Sequence, residues 1–452
     1  MLVCKRRSSL IVGCVTALAA AALGLAPITQ ASAQTALTLR GAPGAGPARF
    51  DEIFVHRFGP DTAATALILL PSANSGAGSD TLMARDLVSA VPDLQVWTVD
   101  FRWQALEDTS VFATGDPDAA FAYYLGFQPV GGRTFHPVAG MSVPFAREWG
   151  LALVLADVRR VVRAAHVRGA RRVFLGGLGS GADVSVDYAV WDFDGRPGYR
   201  DLAGLVLIDA SVQPGLPLIS KRSARRRLDL LRDGDPFAFL LRGLPAWAPG
   251  VFLETGALYA LARPQEQSTL QSYPLVPHAF VPPVRVTNQA QLGYAVDNGT
   301  NPASFAGLRV HAGRLAASGD PRPWQNGELT PIERVAETYA QEPANAVSWY
   351  WPKRLNLDLD AAVDPEGSPA AQMLGLRLRH AASLNVPIYG FQTEATRHYF
   401  LHNLGVLIDR SRVPERKSTA IDRSGTMSPL DALLAPPPTN DFTKTVGRFL
   451  RG

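Results

Sequence analysis

The sequence predicts an α/β protein in which a mostly parallel sheet is covered by helices on both faces and carries a large inserted cap. Apolar strand runs alternate with amphipathic helices at short intervals. The strand runs are continuously apolar, as strands buried on both faces are. From about residue 212 to 375 this alternation stops, and frequent prolines and polar helices replace it.

The first 33 residues have the three-part pattern of a secretory signal peptide. Three basic residues at 5–7 precede an apolar run, and the small residues at 31–33 form a cleavage site. We expect cleavage near Ala33, export to the periplasm or the extracellular space, and no permanent membrane span. A lipoprotein box ending at Cys14 and a twin-arginine signal are the alternative interpretations.

Charge and cysteine content limit the classes of function for the mature chain. Without its first 33 residues the chain has 41 basic and 40 acidic residues, a net charge of +1. This balance gives no electrostatic signature for nucleic acid or for an anionic membrane surface. Both cysteines lie in the predicted signal peptide, so the mature chain has no disulfide, zinc-thiolate site or iron-sulfur cluster.

The elements follow in a regular order before the insertion. Residues 34–50 form a Gly- and Pro-rich leader with room for one short edge strand. The predicted strands are "EIFVHRFG", "ATALILLP", "LQVWTVDF", "RRVFLGG" and "LAGLVLID", and the predicted helices are "DTLMARDLVSAV", "WGLALVLADVRRVVRAAHVRG" and "SGADVSVDYAVWDF". The first part of the core therefore covers residues 34–211.

The insertion, residues 212–375, contains polar helices such as "SKRSARRRLDLLRDG". The core resumes over residues 376–452. There we expect the helix "AAQMLGLRLRHAASL" across the boundary, the strand "NVPIYGFQTE", a helix over 397–407 and a last helix "DFTKTVGRFL".

The stretch "VFLGGLGSGA" contains a glycine turn that fits two motifs. As a dinucleotide fingerprint, Gly177, Gly179 and Ala182 satisfy G-x-G-x-x-G/A, and Asp209 would bind a ribose hydroxyl. As a nucleophile elbow, Gly177 and Gly181 flank the turn of a G-x-S-x-G motif. The nucleophile position is then Gly179, which has no side chain to attack with.

The rest of the chain favours the elbow, because the sequence resembles the α/β-hydrolase superfamily over nearly its whole mature length. "LILLPSANSGAGS", "LQVWTVDFRWQALED" and "LAGLVLIDAS" resemble successive strands and loops of that fold. "AREWGLALVLADVRRVV" and "WYWPKRLNLDLDAA" are similar to segments of exported members. The resemblance implies the α/β-hydrolase fold and an oxyanion loop that includes Ser72, Ala73 and Asn74.

The resemblance also implies positions for a catalytic triad in the chain order nucleophile, acid, histidine. The acid position after "VPIYGFQTE" is offered by Glu394. The usual position of the histidine, just before "LDALLA", is Pro429, and no histidine follows His402. Two members of the triad are therefore missing.

A displaced site is the alternative. Ser180 would act as nucleophile if the turn carried one extra residue, although a first-turn helical hydroxyl is the plainer interpretation. His398 and His402 are spaced one helical turn apart and would replace the lost base or bind a metal. Surface histidines are the more common outcome.

Other candidate residues have structural interpretations. The carboxylates Asp192, Asp194 and Asp201 lack the ligand spacing of a calcium loop. The cluster at 349–351, Trp-Tyr-Trp, would line a carbohydrate or lipid groove in the cap, but packing of the cap on the core is favoured. The remaining histidines, for which structural roles are preferred, are His56, His136, His166, His278, His311 and His380.

The sequence thus predicts an exported protein that has lost serine-hydrolase catalysis and binds an apolar small molecule or a protein partner, without a cofactor or a metal. An active serine esterase using Ser180 is one alternative, and a dinucleotide-binding protein is the other. Substrate, ligand and oligomeric state are not predicted.

Overall fold

The computed structural model describes residues 34–241, 243–276, 278–297, 299–301, 309–327, 329–340 and 345–452. The predicted signal peptide lies outside the described residues and stays a prediction. Among the residues described, no helix is both long enough and apolar enough to cross a membrane.

The centre of the protein is an eight-stranded, mostly parallel sheet, as predicted. Its strands lie in the order β1-β2-β4-β3-β5-β6-β7-β8. The pairs β1–β2 and β2–β4 are antiparallel and all others are parallel. The strands are β1 Thr35–Arg40, β2 Glu52–Phe58, β3 Thr65–Leu70, β4 Leu94–Asp100, β5 Arg172–Leu178, β6 Gly204–Ile208, β7 Ile388–Gln392 and β8 Thr419–Asp422.

Thirteen α-helices are described around this sheet. They are α1 Thr81–Ala90, α2 Pro117–Ala120, α3 Leu151–Val167, α4 Ser180–Val190, α5 Lys221–Asp233, α6 Ala248–Ala262, α7 Asn288–Val296, α8 Ile332–Tyr339, α9 Lys353–Ala362, α10 Pro369–Met373, α11 Phe400–Asp409, α12 Pro429–Leu434 and α13 Asp441–Arg451. Two short hairpins pair Asp192–Phe193 with Arg196–Pro197 and Gly313–Leu315 with Trp324–Asn326.

Helices cover both faces of the sheet because each central strand is apolar on both sides. Successive residues of β3 point to opposite faces: Ile68 lies in one core with Leu155 of α3, and Leu67 lies in the other with Leu87 of α1. All six residues of β3 are buried. The predicted two-sided sheet is confirmed.

A buried ion-pair network ties the end of β4 to α3 and to the leader. The Arg102 guanidinium donates to Asp157 Oδ2 at 3.0 Å from Nε, to Asp51 Oδ1 at 2.8 Å from Nη1 and to the Ala42 carbonyl at 2.8 Å from Nη2. Both Arg102 and Asp157 are only 1% exposed. Removing one partner of such a network is strongly destabilising, because it leaves an uncompensated buried charge.

The stretch between β6 and β7 contains α5 to α10, and the domain boundaries predicted in it stay predictions. Its aromatic cluster is packed rather than open: Trp349, Tyr350 and Trp351 are each at most 2% exposed. Trp351 lies edge-on to Trp103 with ring centroids 5.3 Å apart. The favoured packing interpretation therefore agrees with the structure.

One predicted helix is wrong over most of its length. In the segment "AAQMLGLRLRHAASL" the α-helix α10 ends at Met373, and only a short 3-10 turn, Ala381–Ser383, follows it. Gly375 has a positive φ of 79°, a conformation that ends helices. The predicted helix over 397–407 begins later, at Phe400, and ends at Asp409.

Candidate functional site

The glycine turn has the backbone of a nucleophile elbow. β5 ends at Leu178, α4 begins at Ser180, and Gly179 between them has φ 54° and ψ −117°. A residue with a side chain is strained in this conformation. The Gly179 N–H donates to the Ile208 carbonyl on β6 at 2.8 Å, which fixes the corner against the neighbouring strand. The corner is therefore Gly179.

The two flanking glycines are required by close contact with β3. A Cβ atom on Gly177 would lie 2.3 Å from the Leu70 carbonyl oxygen, and one on Gly181 would lie 2.0 Å from the same atom. Only glycine fits at both positions without a backbone shift. This is the reason that an elbow needs small residues around its apex, and it supports the elbow frame over the dinucleotide frame.

Two serines lie beside the apex. Ser180 is the first residue of α4, so it follows the corner and does not occupy it, and Gly179 rather than Ser180 is the N-cap. Ser72 Oγ lies 2.9 Å from the place where a Cβ on Gly179 would be. A hydroxyl from the β3–α1 loop thus lies next to the position that a nucleophilic side chain would occupy.

The predicted oxyanion loop follows β3 and is bonded to the segment between β6 and β7. The Ser75 N–H donates to the Ser72 carbonyl at 3.0 Å, which makes a tight turn, and Asn74 has a positive φ of 58°. The Asn74 carbonyl accepts from Ser348 N at 3.0 Å. Ala73 packs against the core. The loop is therefore ordered beside the elbow, and its function as an oxyanion hole stays a prediction.

At the acid position, Glu394 is bonded to a hydroxyl. Ser428 Oγ donates to Glu394 Oε1 at 2.8 Å, and the Glu394 N–H donates to the Met427 carbonyl at 3.0 Å. Ser428 is the N-cap of α12 and Pro429 is its first residue. In a triad this carboxylate would orient an imidazole. Here Ser428, the residue before the predicted histidine position Pro429, makes the contact with Glu394.

The structure does not bring the predicted histidines to this carboxylate. The side chains of His398 and His402 are both exposed. Among the described hydrogen bonds and ion pairs, neither imidazole contacts Ser180 or Glu394. His398 has a positive φ of 75° just before α11. A catalytic function for these histidines stays a prediction that no contact supports.

The acid of the dinucleotide motif is already used within the fold. Asp209 is buried at the end of β6 and accepts hydrogen bonds from the Thr393 N–H at 2.7 Å, the Thr393 hydroxyl and the Thr396 hydroxyl. Burial raises the pKa of Asp209, and these three donors oppose the rise. Asp209 therefore links the end of β6 to the loop after β7, and its carboxylate is not open to a ribose hydroxyl.

A histidine–aspartate pair, which the sequence does not reveal, lies near the acid position. His311 Nδ1 lies 2.7 Å from Asp431 Oδ2, and the His311 N–H also donates to Asp431 at 3.0 Å. The Thr330 hydroxyl and the Ser428 N–H donate to the same carboxylate, each at 2.7 Å. Asp431 is fully buried, whereas the imidazole is 40% exposed.

This pair gives His311 a buried carboxylate partner, and the structural role preferred for His311 stays a prediction. The hydrogen bond with Asp431 raises the pKa of His311, burial opposes the rise, and the nearby charge of Glu394 adds to it. A carboxylate bonded to one nitrogen of an imidazole is a contact that catalytic triads also contain. The two residues are 120 positions apart, so spacing could not reveal them.

Metal binding receives no support from the described residues, where no three His, Cys, Asp or Glu side chains are grouped as ligands. The three carboxylates considered as calcium ligands all have partners within the protein. Asp192 accepts from the Gly195 N–H at 2.6 Å, Asp194 pairs with Arg377 at 2.9 Å, and Asp201 pairs with Arg196.

Comparison with known proteins places this geometry in a class. No protein-family model and no curated protein sequence matches the chain. A proposed lipase from Sulfolobus solfataricus matches it in structure with a TM-score of 0.54 and 15% identity, over 92% of this chain and 93% of that chain. Epoxide hydrolase A from Mycobacterium thermoresistibile gives a TM-score of 0.43 and 12% identity, over 93% and 99%.

A thermophilic esterase from Thermogutta terrifontis gives a TM-score of 0.38 and 13% identity, over 92% of this chain and 98% of that chain. The fold assignment rests on the first of these matches and on the strand order. The protein is thus an α/β protein with an elbow between its fifth strand and the following helix. It has the α/β-hydrolase fold, as the resemblance implied.

Proposed function

We propose that this protein is an exported member of the α/β-hydrolase fold that has lost serine acyl-enzyme chemistry and binds a small apolar ligand in its cap. The observation that carries the loss of chemistry is the contact at the acid position. Glu394 accepts a hydrogen bond from the Ser428 hydroxyl, and Gly179 occupies the corner. Glycine cannot form an acyl-enzyme, and serine cannot serve as the imidazole base.

A cavity in the cap supports ligand binding. It has a volume of about 60 Å³ and lies between α6 and α7, with apolar walls that include Phe252, Leu253 and Leu292. Gln291, 6% exposed, also lines it. The Gln291 Nε2 donates to the Phe280 carbonyl at 2.6 Å, but the buried Oε1 atom has no hydrogen-bond partner among the residues that the structure describes.

The unpartnered amide oxygen defines the chemistry of the ligand. A buried acceptor without a donor is costly, and a ligand that supplies one hydroxyl removes this cost. The small volume suits a short aliphatic chain. We therefore propose a ligand, or a ligand end, that consists of a few apolar carbons and one hydrogen-bond donor.

Restoring the triad tests the loss of catalysis. The assay is hydrolysis of p-nitrophenyl acetate and butyrate together with fluorophosphonate labelling, whose site is mapped by peptide mass spectrometry. We expect no labelling of the natural protein. We expect labelling and activity in the double variant Gly179→Ser, Ser428→His, because Ser72 Oγ is the end of a flexible side chain and can rotate away from the new Cβ.

The matched control is Gly179→Ala, Ser428→His, which has the same backbone strain but no nucleophile. Labelling of the natural protein at Ser180 or at Ser72, abolished by replacing that serine with alanine, would overturn the proposed loss and establish a displaced hydrolase. Export is tested separately by N-terminal sequencing of the secreted protein, which should begin near Gln34.

Ligand binding is tested with 1-butanol and with methyl propyl ether, which has the same heavy atoms but no hydroxyl donor. Saturation-transfer NMR should show that the alcohol binds about tenfold more tightly, the effect of one hydrogen bond. Gly256 lines the cavity, so Gly256→Leu should fill it and abolish binding. Gly405→Ala, on α11, is the control. Equal affinity for the alcohol and the ether would exclude the proposed function of Gln291.

A further inference from the structure

A second concavity lies between the edge strand β1, the outer side of α3 and the short hairpin at 192–197. It has a volume of about 850 Å³. We call it the arginine groove, because its lining includes Arg40, Arg159, Arg160, Arg163, Arg168 and Arg377. None of its lining residues belongs to the elbow, to the acid position or to the cap cavity.

The positive charge of this groove is largely uncompensated. Asp194 is its single acidic lining residue and is paired with Arg377 at 2.9 Å. Arg163 and Arg168 are exposed, and no hydrogen bond or ion pair joins either guanidinium to another residue in the described part of the chain. Like charges that share one concavity raise its local potential and attract anions.

Two further arginines are positioned by their surroundings. The Arg159 guanidinium lies 4.3 Å above the Phe193 ring, and its buried Nε has no hydrogen-bond partner in the described ranges. The exposed Arg160 guanidinium donates to the Arg40 carbonyl of β1 at 3.3 Å. Guanidinium groups held in this way are preorganised for oxyanions, which they bind with paired N–H donors.

The lining between the arginines is apolar. Ala152, Ala156 and Ala164 of α3 contribute small side chains, and Leu39 and Trp191 contribute larger ones. A purely ionic ligand would leave this surface uncovered. The volume lies in the range of sites that enclose one small molecule, about 300–1,000 Å³, and a concave site of this size does not present a flat face to a bilayer.

We propose that the arginine groove binds one phosphate-bearing amphiphile, with its phosphate at Arg163 and Arg168 and its alkyl chain on the alanine surface of α3. Phosphate fits better than carboxylate because several guanidinium groups share the groove and a phosphate monoester carries close to two negative charges. This binding is independent of the proposed loss of catalysis and of the cap cavity.

The test measures binding of dodecyl phosphate, below its critical micelle concentration, to the purified protein by isothermal titration calorimetry. The probes for comparison are dodecanol, inorganic phosphate and phosphatidylglycerol vesicles. We expect dodecyl phosphate to bind at least about tenfold more tightly than dodecanol or inorganic phosphate. Dodecanol lacks the phosphate, and inorganic phosphate lacks the alkyl chain.

The variant Arg163→Gln, Arg168→Gln should weaken dodecyl phosphate binding at least about tenfold, because it removes two charge-assisted contacts. Arg222→Gln, Arg225→Gln on α5 is the matched control, since both arginines are exposed and the change in net charge is the same. It should leave the affinity within about twofold, the size of a screened distant charge effect.

Several outcomes would overturn the proposal. Equal weakening by both double variants would mean a non-specific charge effect. Binding of inorganic phosphate as tight as that of dodecyl phosphate would mean a simple anion site. Binding to vesicles without binding of the monomer would mean a membrane-facing patch. Circular dichroism of both double variants, which replace only exposed side chains, verifies that they are folded.

Discussion

Replacing Gly181 by alanine should destabilise the protein strongly, because α4 and β3 leave no room for a methyl group. The new Cβ would lie 2.0 Å from the Leu70 carbonyl oxygen, whereas ordinary contacts begin at 3.4 Å. The obstructing atom belongs to the backbone, so relief requires a shift of β3 or α4. Overpacking of this kind costs about 3 kcal/mol or more, and the helix propensity of alanine returns about 1 kcal/mol. We expect a net loss of at least about 2 kcal/mol.

The same substitution at Gly405 is the control, because it should raise the free energy of unfolding rather than lower it. Gly405 lies in α11, and nothing approaches its ideal Cβ position within 4 Å. Gly405→Ala should stabilise the protein by about 0.5–1 kcal/mol, because alanine loses less backbone entropy on folding. Equilibrium urea unfolding followed by tryptophan fluorescence measures both. If Gly181→Ala changed the free energy of unfolding by less than about 0.5 kcal/mol, the close contact between the elbow and β3 would be refuted.

Three further predictions concern buried polar contacts. Arg102→Met should cost about 3–5 kcal/mol in urea unfolding, because it leaves Asp157 as an uncompensated buried charge, and a cost below about 1 kcal/mol would contradict this. The raised pKa of His311 means that the folded state holds the proton more tightly than the unfolded chain. The stabilisation by its pair with Asp431 should therefore be complete below the ordinary pKa of 6.5 and be lost as the pH rises through the folded-state pKa. His311→Asn should remove this pH dependence, and an unchanged slope would refute the pair. Ser428→Ala should cost about 2 kcal/mol, because α12 loses its N-cap and the carboxylate at the acid position loses a donor; an unchanged melting curve would mean that neither contact contributes.

Periodicity and apolar runs were enough to predict most of the sheet, and two missed elements show where they fail. β8 is a four-residue edge strand whose burial alternates, so its sequence "TAID" has no apolar run. α6 is buried on nearly all sides, with twelve of its fifteen residues buried. It therefore has no polar face to produce a helical period. Both elements are defined by tertiary packing rather than by local pattern.

The candidate site was predictable only where the chain is continuous. The elbow, its glycines and Glu394 follow strands directly, so their positions could be inferred from the sequence. His311, between β6 and β7, and Asp431 of α12 are far apart in the chain, and only the fold brings them together. Net charge was similarly uninformative about the arginine groove, because a total of +1 says nothing about how arginines are distributed over the surface.

The glycines of the elbow have a consequence for recognising such proteins. Gly177 and Gly181 are explained here by the passage of one main chain past another, without any reference to a reaction. The motif therefore has two separable parts. The outer glycines allow the tight turn between strand and helix, and the central residue supplies the nucleophile. A sequence search that requires the outer glycines and allows any central residue finds proteins with this strand–turn–helix backbone. A search that requires serine at the centre finds proteins with the nucleophile. This chain matches only the first search, because its central residue is Gly179.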